Sequence, residues 1–122
     1  SYTTFSYGAV VLESENIKAD EKLKLSVPVT NTGKCDGEEV VQVYLKKHGD
    51  AEGPSKALRA FKRVHIPAGK TVDVEFDLGD KELMWWNPQS NTMRVSEGSY
   101  ELMVGGRSQT AGLLRRSFVI QP

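Results

Sequence analysis

The feature that most constrains this chain is a period-two alternation of apolar and polar residues, in short stretches that turn chemistry keeps interrupting. Val72, Val74, Phe76 and Leu78 alternate with Thr71, Asp73, Glu75 and Asp77. Successive side chains of an extended chain point to opposite faces, so this segment reads as a strand with one face buried. Leu23, Leu25, Val27 and Val29 alternate with Lys24, Ser26, Pro28 and Thr30 in the same way, and Tyr100, Leu102 and Val104 alternate with Ser99, Glu101 and Met103. Pro28 has no N–H for a ladder, which predicts an edge position or a bulge for its strand. The run 40–45 is apolar on both faces and predicts a central strand. Residues 7–13, 58–66, 92–96 and 113–120 are further strand candidates.

Turn formers fall where the alternation stops: Asn31-Thr32-Gly33, Asp36-Gly37, Pro67-Ala68-Gly69, Asn87-Pro88 and Glu97-Gly98. The stretch 46–56 holds Gly49, Gly53 and Pro54 and reads as a longer exposed loop. Only 78–86 offers a short helical turn, with Asp80 as its N-cap and Leu83 on the apolar side. About eight short strands with frequent turns predict an all-β fold, a sandwich of two sheets. At 122 residues the chain has the size of one domain. Val, Leu, Ile and Phe make up 30 of those residues, about a quarter. That lies above the roughly one-fifth level at which disorder becomes the default, so a core is expected.

Composition excludes several functions. Sixteen Lys plus Arg balance sixteen Asp plus Glu, so no overall field draws the chain to nucleic acid or to an anionic membrane. The longest apolar runs have four residues, 9–12 and 83–86, against the about 20 that a membrane-spanning helix needs. A single cysteine, Cys35, allows neither an internal disulfide nor a cysteine metal cluster. It sits in the turn-like Thr32-Gly33-Lys34-Cys35-Asp36-Gly37 and reads as a loop thiol. The chain begins Ser-Tyr-Thr-Thr-Phe, without initiator Met or signal sequence, which predicts processing or a longer parent.

A search for catalytic groups ends without a site. Asp73, Glu75 and Asp77 share one strand face, but three acids alternating with apolar residues are what a solvated face looks like. Paired-carboxylate catalysis needs two such groups in a cleft with divergent pKa values. His48 and His65 fit no metal-ligand spacing. There is no Gly-x-Ser-x-Gly elbow. Gly105-Gly106-Arg107-Ser108 lacks the spacing and lysine of a phosphate loop and is better read as a strand-ending turn. No cofactor is implied.

Binding residues are more visible. Lys56, Arg59, Lys62, Arg63 and His65 form a local basic stretch around Phe61. One such stretch in a neutral domain points to a solvated strand or a docking face rather than to nucleic acid. If this strand paired with the next through Pro67-Ala68-Gly69, Arg63 would face Asp73 and Arg59 would face Asp77. A sandwich sending the two to opposite sheets would forbid it, and the residues leave both arrangements open. Tyr2, Phe5 and Tyr7 cluster at the start. Trp85 and Trp86 are adjacent, so at most one of them enters the core, and an exposed aromatic calls for a covering partner or ligand.

In this order the segments resemble a known family. Ser1-Tyr2-Thr3-Thr4-Phe5-Ser6-Tyr7 comes first, then Val29-Thr30-Asn31-Thr32-Gly33 with Asp36-Gly37-Glu38-Glu39-Val40-Val41-Gln42-Val43-Tyr44. Pro54-Ser55-Lys56-Ala57-Leu58-Arg59-Ala60-Phe61-Lys62-Arg63-Val64 and Pro67-Ala68-Gly69 follow. Leu83-Met84-Trp85-Trp86-Asn87, Glu97-Gly98-Ser99-Tyr100-Glu101 and Val104-Gly105 complete the set. The whole chain is similar to the fibronectin type III-like C-terminal domain of family 3 glycoside hydrolases, the β-glucosidase and β-xylosidase family. Ala60 stands where that family commonly has Gly, and Asn87 where it has Asp.

The resemblance implies an immunoglobulin-like, fibronectin type III-like sandwich of about seven to eight antiparallel strands over residues 1–122, with 1–6 as the incoming linker. It implies a non-catalytic accessory domain, since the family's nucleophile and acid/base residue lie in preceding domains. The parent would be a retaining, exo-acting β-glycosidase, periplasmic or secreted, with a β-linked glycoside as its substrate. The partner would be the upstream catalytic domains of the same chain. Tyr2, Phe5, Tyr7, Lys56, Arg59, Phe61, Arg63 and one of Trp85 or Trp86 are the docking candidates. Two other readings stand beside it: an independent carbohydrate-binding module stacking sugars on Trp85 and Trp86, and a cell-surface immunoglobulin-like adhesion module.

Overall fold

The computed structural model describes residues 3–107 and 112–122. In chain order the elements are β1 (Phe5–Tyr7), β2 (Val11–Leu12), β3 (Asn16–Lys18), β4 (Leu23–Asn31), β5 (Gly37–Lys47) and β6 (Ala57–Ile66). They continue with β7 (Thr71–Leu78), α1 (Asp80–Leu83), β8 (Trp85–Asn87), β9 (Thr92–Arg94), β10 (Gly98–Gly106) and β11 (Leu114–Gln121). In one sheet β4 is central, with β7 along one side and β1 and β2 sharing the other. The second sheet runs β3-β11-β10-β5-β6, and β8 and β9 form a separate hairpin. Counting β1 and β2 as one broken strand, the sandwich has seven antiparallel strands: β1/β2, β4 and β7 against β11, β10, β5 and β6. The parallel pairing of β3 with β11 is the exception.

The alternation seen in the sequence becomes the core. Leu23, Leu25, Val27 and Val29 of β4, with Val74, Phe76 and Leu78 of β7, face Val41, Val43 and Leu45 of β5 and Tyr100, Leu102 and Val104 of β10. Each fully buried side chain of this kind contributes roughly 1.5–3 kcal/mol relative to exposure. Tyr100 opens β10 and stacks on Phe118 with ring centroids 5.4 Å apart. Its hydroxyl donates to the Ser96 carbonyl at 2.6 Å, the tyrosine corner of immunoglobulin-like sandwiches.

Several expectations are corrected. Pro28 does not mark an edge strand, because β4 is flanked on both sides. Its carbonyl accepts from Gly8 N–H at 2.9 Å, so its missing donor points at the break between β1 and β2. A side chain at Gly8 would collide with the Pro28 ring. The strand expected over 7–13 is therefore split. Phe5 and Ser6 lie in β1 rather than in a linker. The helix N-cap is Gly79, not Asp80, with Glu82 Oε1 accepting from Gly79 N–H at 2.8 Å. β6 and β7 lie in opposite sheets, so Arg63 and Arg59 do not face Asp73 and Asp77. Lys62 does cross to β7, donating to the Glu75 carbonyl.

Asn31 ties one end of the sandwich together. Its side chain, 0% exposed, accepts from Thr3 Oγ1 at 2.5 Å and Gly33 N–H at 2.9 Å. It donates to the carbonyls of Cys35 at 2.8 Å and Ile66 at 2.9 Å. One buried amide thus joins the incoming segment, the β4–β5 turn and the end of β6, with every capacity used.

Candidate functional site

The docking candidates divide into a buried group and an exposed group. Phe5 and Tyr7 are half-buried and pack against the core. Tyr7 donates its hydroxyl to Glu39 Oε2 at 3.0 Å, and Glu39 is only 1% exposed. Burial, reinforced by the Glu39 carboxylate, pushes the Tyr7 phenol far above its ordinary range. Gly106 is required beside this pair, since a side chain there would collide with both the carboxylate and the phenol. Tyr2 lies outside the described residues.

Trp85 is 2% exposed and packs into the core. Its Nε1–H donates to Asp50 Oδ2 at 2.6 Å. That bond is the main reason the Asp50 carboxyl is held below its usual range, against some opposing burial. Gly53 N–H donates to the other Asp50 oxygen at 3.0 Å. As neighbours on an extended segment, the two tryptophans part company, and Trp86 is 49% exposed.

The exposed group occupies two places. On the outer face of the second sheet, Phe61 sits opposite Gln42, Arg63 opposite Val40, and Leu58 opposite Tyr44. Phe61 is 65% exposed and Leu58 48%, so an aromatic ring and a leucine lie open side by side on β6. Arg63 pairs with Glu38 at 3.4 Å, both well exposed, an interaction worth at most about 1 kcal/mol. Lys56 Nζ stands 5.2 Å from the Tyr44 ring centroid.

The second place is a cleft of about 700 Å³ at the end of the sandwich remote from Asn31, between the loop after β5 and the β8–β9 hairpin. A bulge creates one wall. Between Val43↔Ala60 and Tyr44↔Leu58 the register slips, leaving Arg59 unpaired on the ladder, and a bulge re-aims the side chain it carries. The Arg59 guanidinium lies 5.6 Å from the Trp85 ring centroid, and burial lowers its pKa. Leu58, Tyr44 and Met93 were not singled out in the sequence. Their signal is only an apolar residue on the polar side of a strand, which the bulge obscures.

Asp73, Glu75 and Asp77 are exposed on the outer face of β7. Among the described residues no group of three or more His, Cys, Asp or Glu could hold a metal ion, and no helix is long and apolar enough to cross a membrane. Cys35 is a free, exposed thiol.

Fold and site together define a β-sandwich module with exposed apolar surfaces, immunoglobulin-like in its strand order and tyrosine corner. The model of the fibronectin type III-like domain matches residues 39–108, and the chain belongs to that family. It is 40% identical over 108 residues to a xylan 1,4-beta-xylosidase of Xylanibacter ruminicola, covering 88% of this chain and 12% of that protein. A periplasmic beta-glucosidase of Salmonella typhimurium is 34% identical, with 84% and 16% covered. Among solved structures, a β-glucosidase of Erythrobacter marinus superposes with a TM-score of 0.83 at 28% identity, over 98% of this chain and 16% of that one. A beta-glucosidase of Kluyveromyces marxianus gives 0.81 at 30% identity, with 99% and 15% covered. The chain spans less than a fifth of each of these glycosidases, the proportion of an accessory domain.

Proposed function

We propose that this domain is the non-catalytic brace of a family 3 glycoside hydrolase, holding the catalytic domains of the same chain through the outer face of β5 and β6. The observation that carries the reading is Phe61, at 65% the most exposed large apolar side chain among the described residues, beside a 48% exposed Leu58 on the same strand. Exposed aromatic and aliphatic neighbours flanked by arginine have the composition of an interface centre. The parent is an exo-acting, retaining β-glycosidase, exported to the periplasm or beyond, and its substrate a β-linked glycoside. The glycosidase relatives, one of them periplasmic by name, support that reading.

The test compares Phe61→Ser in two settings. In the 122-residue domain alone, removing an exposed ring leaves stability within about 0.5 kcal/mol. In the full-length parent, the same change lowers the thermal midpoint of the catalytic region or loosens the domain to limited proteolysis. Equal, negligible effects in both settings would sink the brace.

A further inference from the structure

We propose that the cleft between the loop after β5 and the β8–β9 hairpin binds an acidic sugar, with Arg59 taking the carboxylate and Trp86 the pyranose ring. This site lies apart from the β5–β6 face and does not depend on the bracing role. Its centre is a guanidinium without a hydrogen-bond acceptor. Among the described residues Arg59 makes no hydrogen bond and no ion pair, and its Nε is shut away from solvent with no acceptor. Buried donors are nearly always paired, so the orphaned Nε marks an unsatisfied guanidinium, whose terminal nitrogens are the part that a ligand in the cleft can reach. The guanidinium is a rigid planar fork that matches a carboxylate in two parallel hydrogen bonds.

The fork is also held in place. It stacks over Trp85 at 5.6 Å, and Trp85 is itself pinned by Asp50 at 2.6 Å. Asp50 accepts one bond at each oxygen, from Trp85 and from Gly53, which orients the cleft wall, and among the described residues it makes no ion pair with Arg59. Lys47 adds positive charge along the rim, and Asp50 and Glu52 are the carboxylates that oppose an anion there. Beside the fork, Trp86 pairs across the hairpin with Met93, and the two are 49% and 43% exposed. Their flat apolar surface suits the C–H face of a sugar ring, while the cleft volume lies in the roughly 300–1,000 Å³ range of small-ligand sites. A neutral sugar would offer Arg59 only single hydroxyl acceptors, whereas a uronic acid also offers a charged carboxylate that takes two parallel bonds from the fork.

The probe is a β-linked xylo-oligosaccharide carrying one glucuronic acid branch, titrated calorimetrically against the 122-residue chain and the full-length parent, with the unbranched oligosaccharide in parallel. The branched probe binds at least tenfold tighter. Arg59→Ala abolishes that preference, Arg59→Lys keeps part of it, and Trp86→Ala weakens both probes alike. Glu52→Gln tightens the branched probe, which keeps the proposal testable even if an Arg59 variant folds poorly. Equal affinity for the two probes, or a preference untouched by Arg59→Ala, overturns the site. So does a lack of binding at millimolar probe. If Arg59→Ala instead lowers the thermal midpoint of the parent and neither probe binds, the missing acceptor is a carboxylate of the parent chain. That outcome rejects the sugar site and leaves the brace standing, whereas failure of the Phe61 comparison leaves the sugar site untouched.

Discussion

Replacing Asn31 tests whether one buried amide organises the end of the sandwich where the chain enters. Its four side-chain hydrogen bonds go to Thr3, Gly33, Cys35 and Ile66. Three of them are only partly buried and can be replaced by water in a variant, so each is credited at the low end, about 0.5 kcal/mol. The Ile66 carbonyl is different, because that bond is buried. Leaving this acceptor unsatisfied costs about 1–3 kcal/mol. Asn31→Ala should therefore destabilise the domain by about 3 kcal/mol, a large share of the 5–15 kcal/mol typical of a domain. For a chain of this length that lowers the thermal midpoint by roughly 10–15 °C. Asn31→Asp keeps the shape but turns carboxylate oxygens toward the Cys35 and Ile66 carbonyls, so it should be at least as damaging at neutral pH. Urea unfolding followed by tryptophan fluorescence measures both. An Asn31→Asp domain within 1 kcal/mol of the parent sequence at pH 7 would refute the reasoning, because it would mean the two donated bonds contribute nothing.

The two tryptophans should separate cleanly in the same assay. Trp85→Phe loses the bond to Asp50 and part of a buried ring, for a loss of about 1–3 kcal/mol, whereas Trp86→Ala stays within about 0.5 kcal/mol. Alkaline titration gives another check. The Tyr7 and Tyr100 phenols are both raised, chiefly by burial, so their neutral forms stabilise the fold below the unfolded tyrosine pKa of about 10. That stability is lost as pH climbs above about 10, and the tyrosinate absorbance of Tyr7 and Tyr100 at 295 nm should appear only as the fold is lost. A single smooth titration with the fold intact would contradict the burial of these rings.

Much of the architecture was legible because a period of two is local physics. The inward residues of β4, β7 and β10 could be named from alternation alone, and the turns from Asn, Gly and Pro. The division between the tryptophans was legible too, since adjacent residues on an extended segment must face apart, though not which one went inward. What alternation cannot carry is anything set by a partner strand. Pro28 looked like an edge marker because a missing N–H is a liability only if a neighbour needs it, and the break between β1 and β2 places no neighbour there. Residues 16–18 are too short to show a pattern, and their parallel pairing with β11 depends on a strand about a hundred positions away.

The sequence by itself determined an all-β sandwich, its buried faces, and the lack of any recognisable catalytic motif, because side-chain alternation, turn chemistry and residue spacing are properties of the chain alone. The tertiary structure decided which apolar and basic residues stay open. Phe61 is exposed because its pairing with Gln42 turns it to the outer face of the sheet, Arg59 leaves the ladder because one bulge shifts the β5–β6 register, and Trp85 packs in the core with its indole N–H held by Asp50, thirty-five residues earlier. Those are contacts between distant parts of the chain, and no local pattern encodes them.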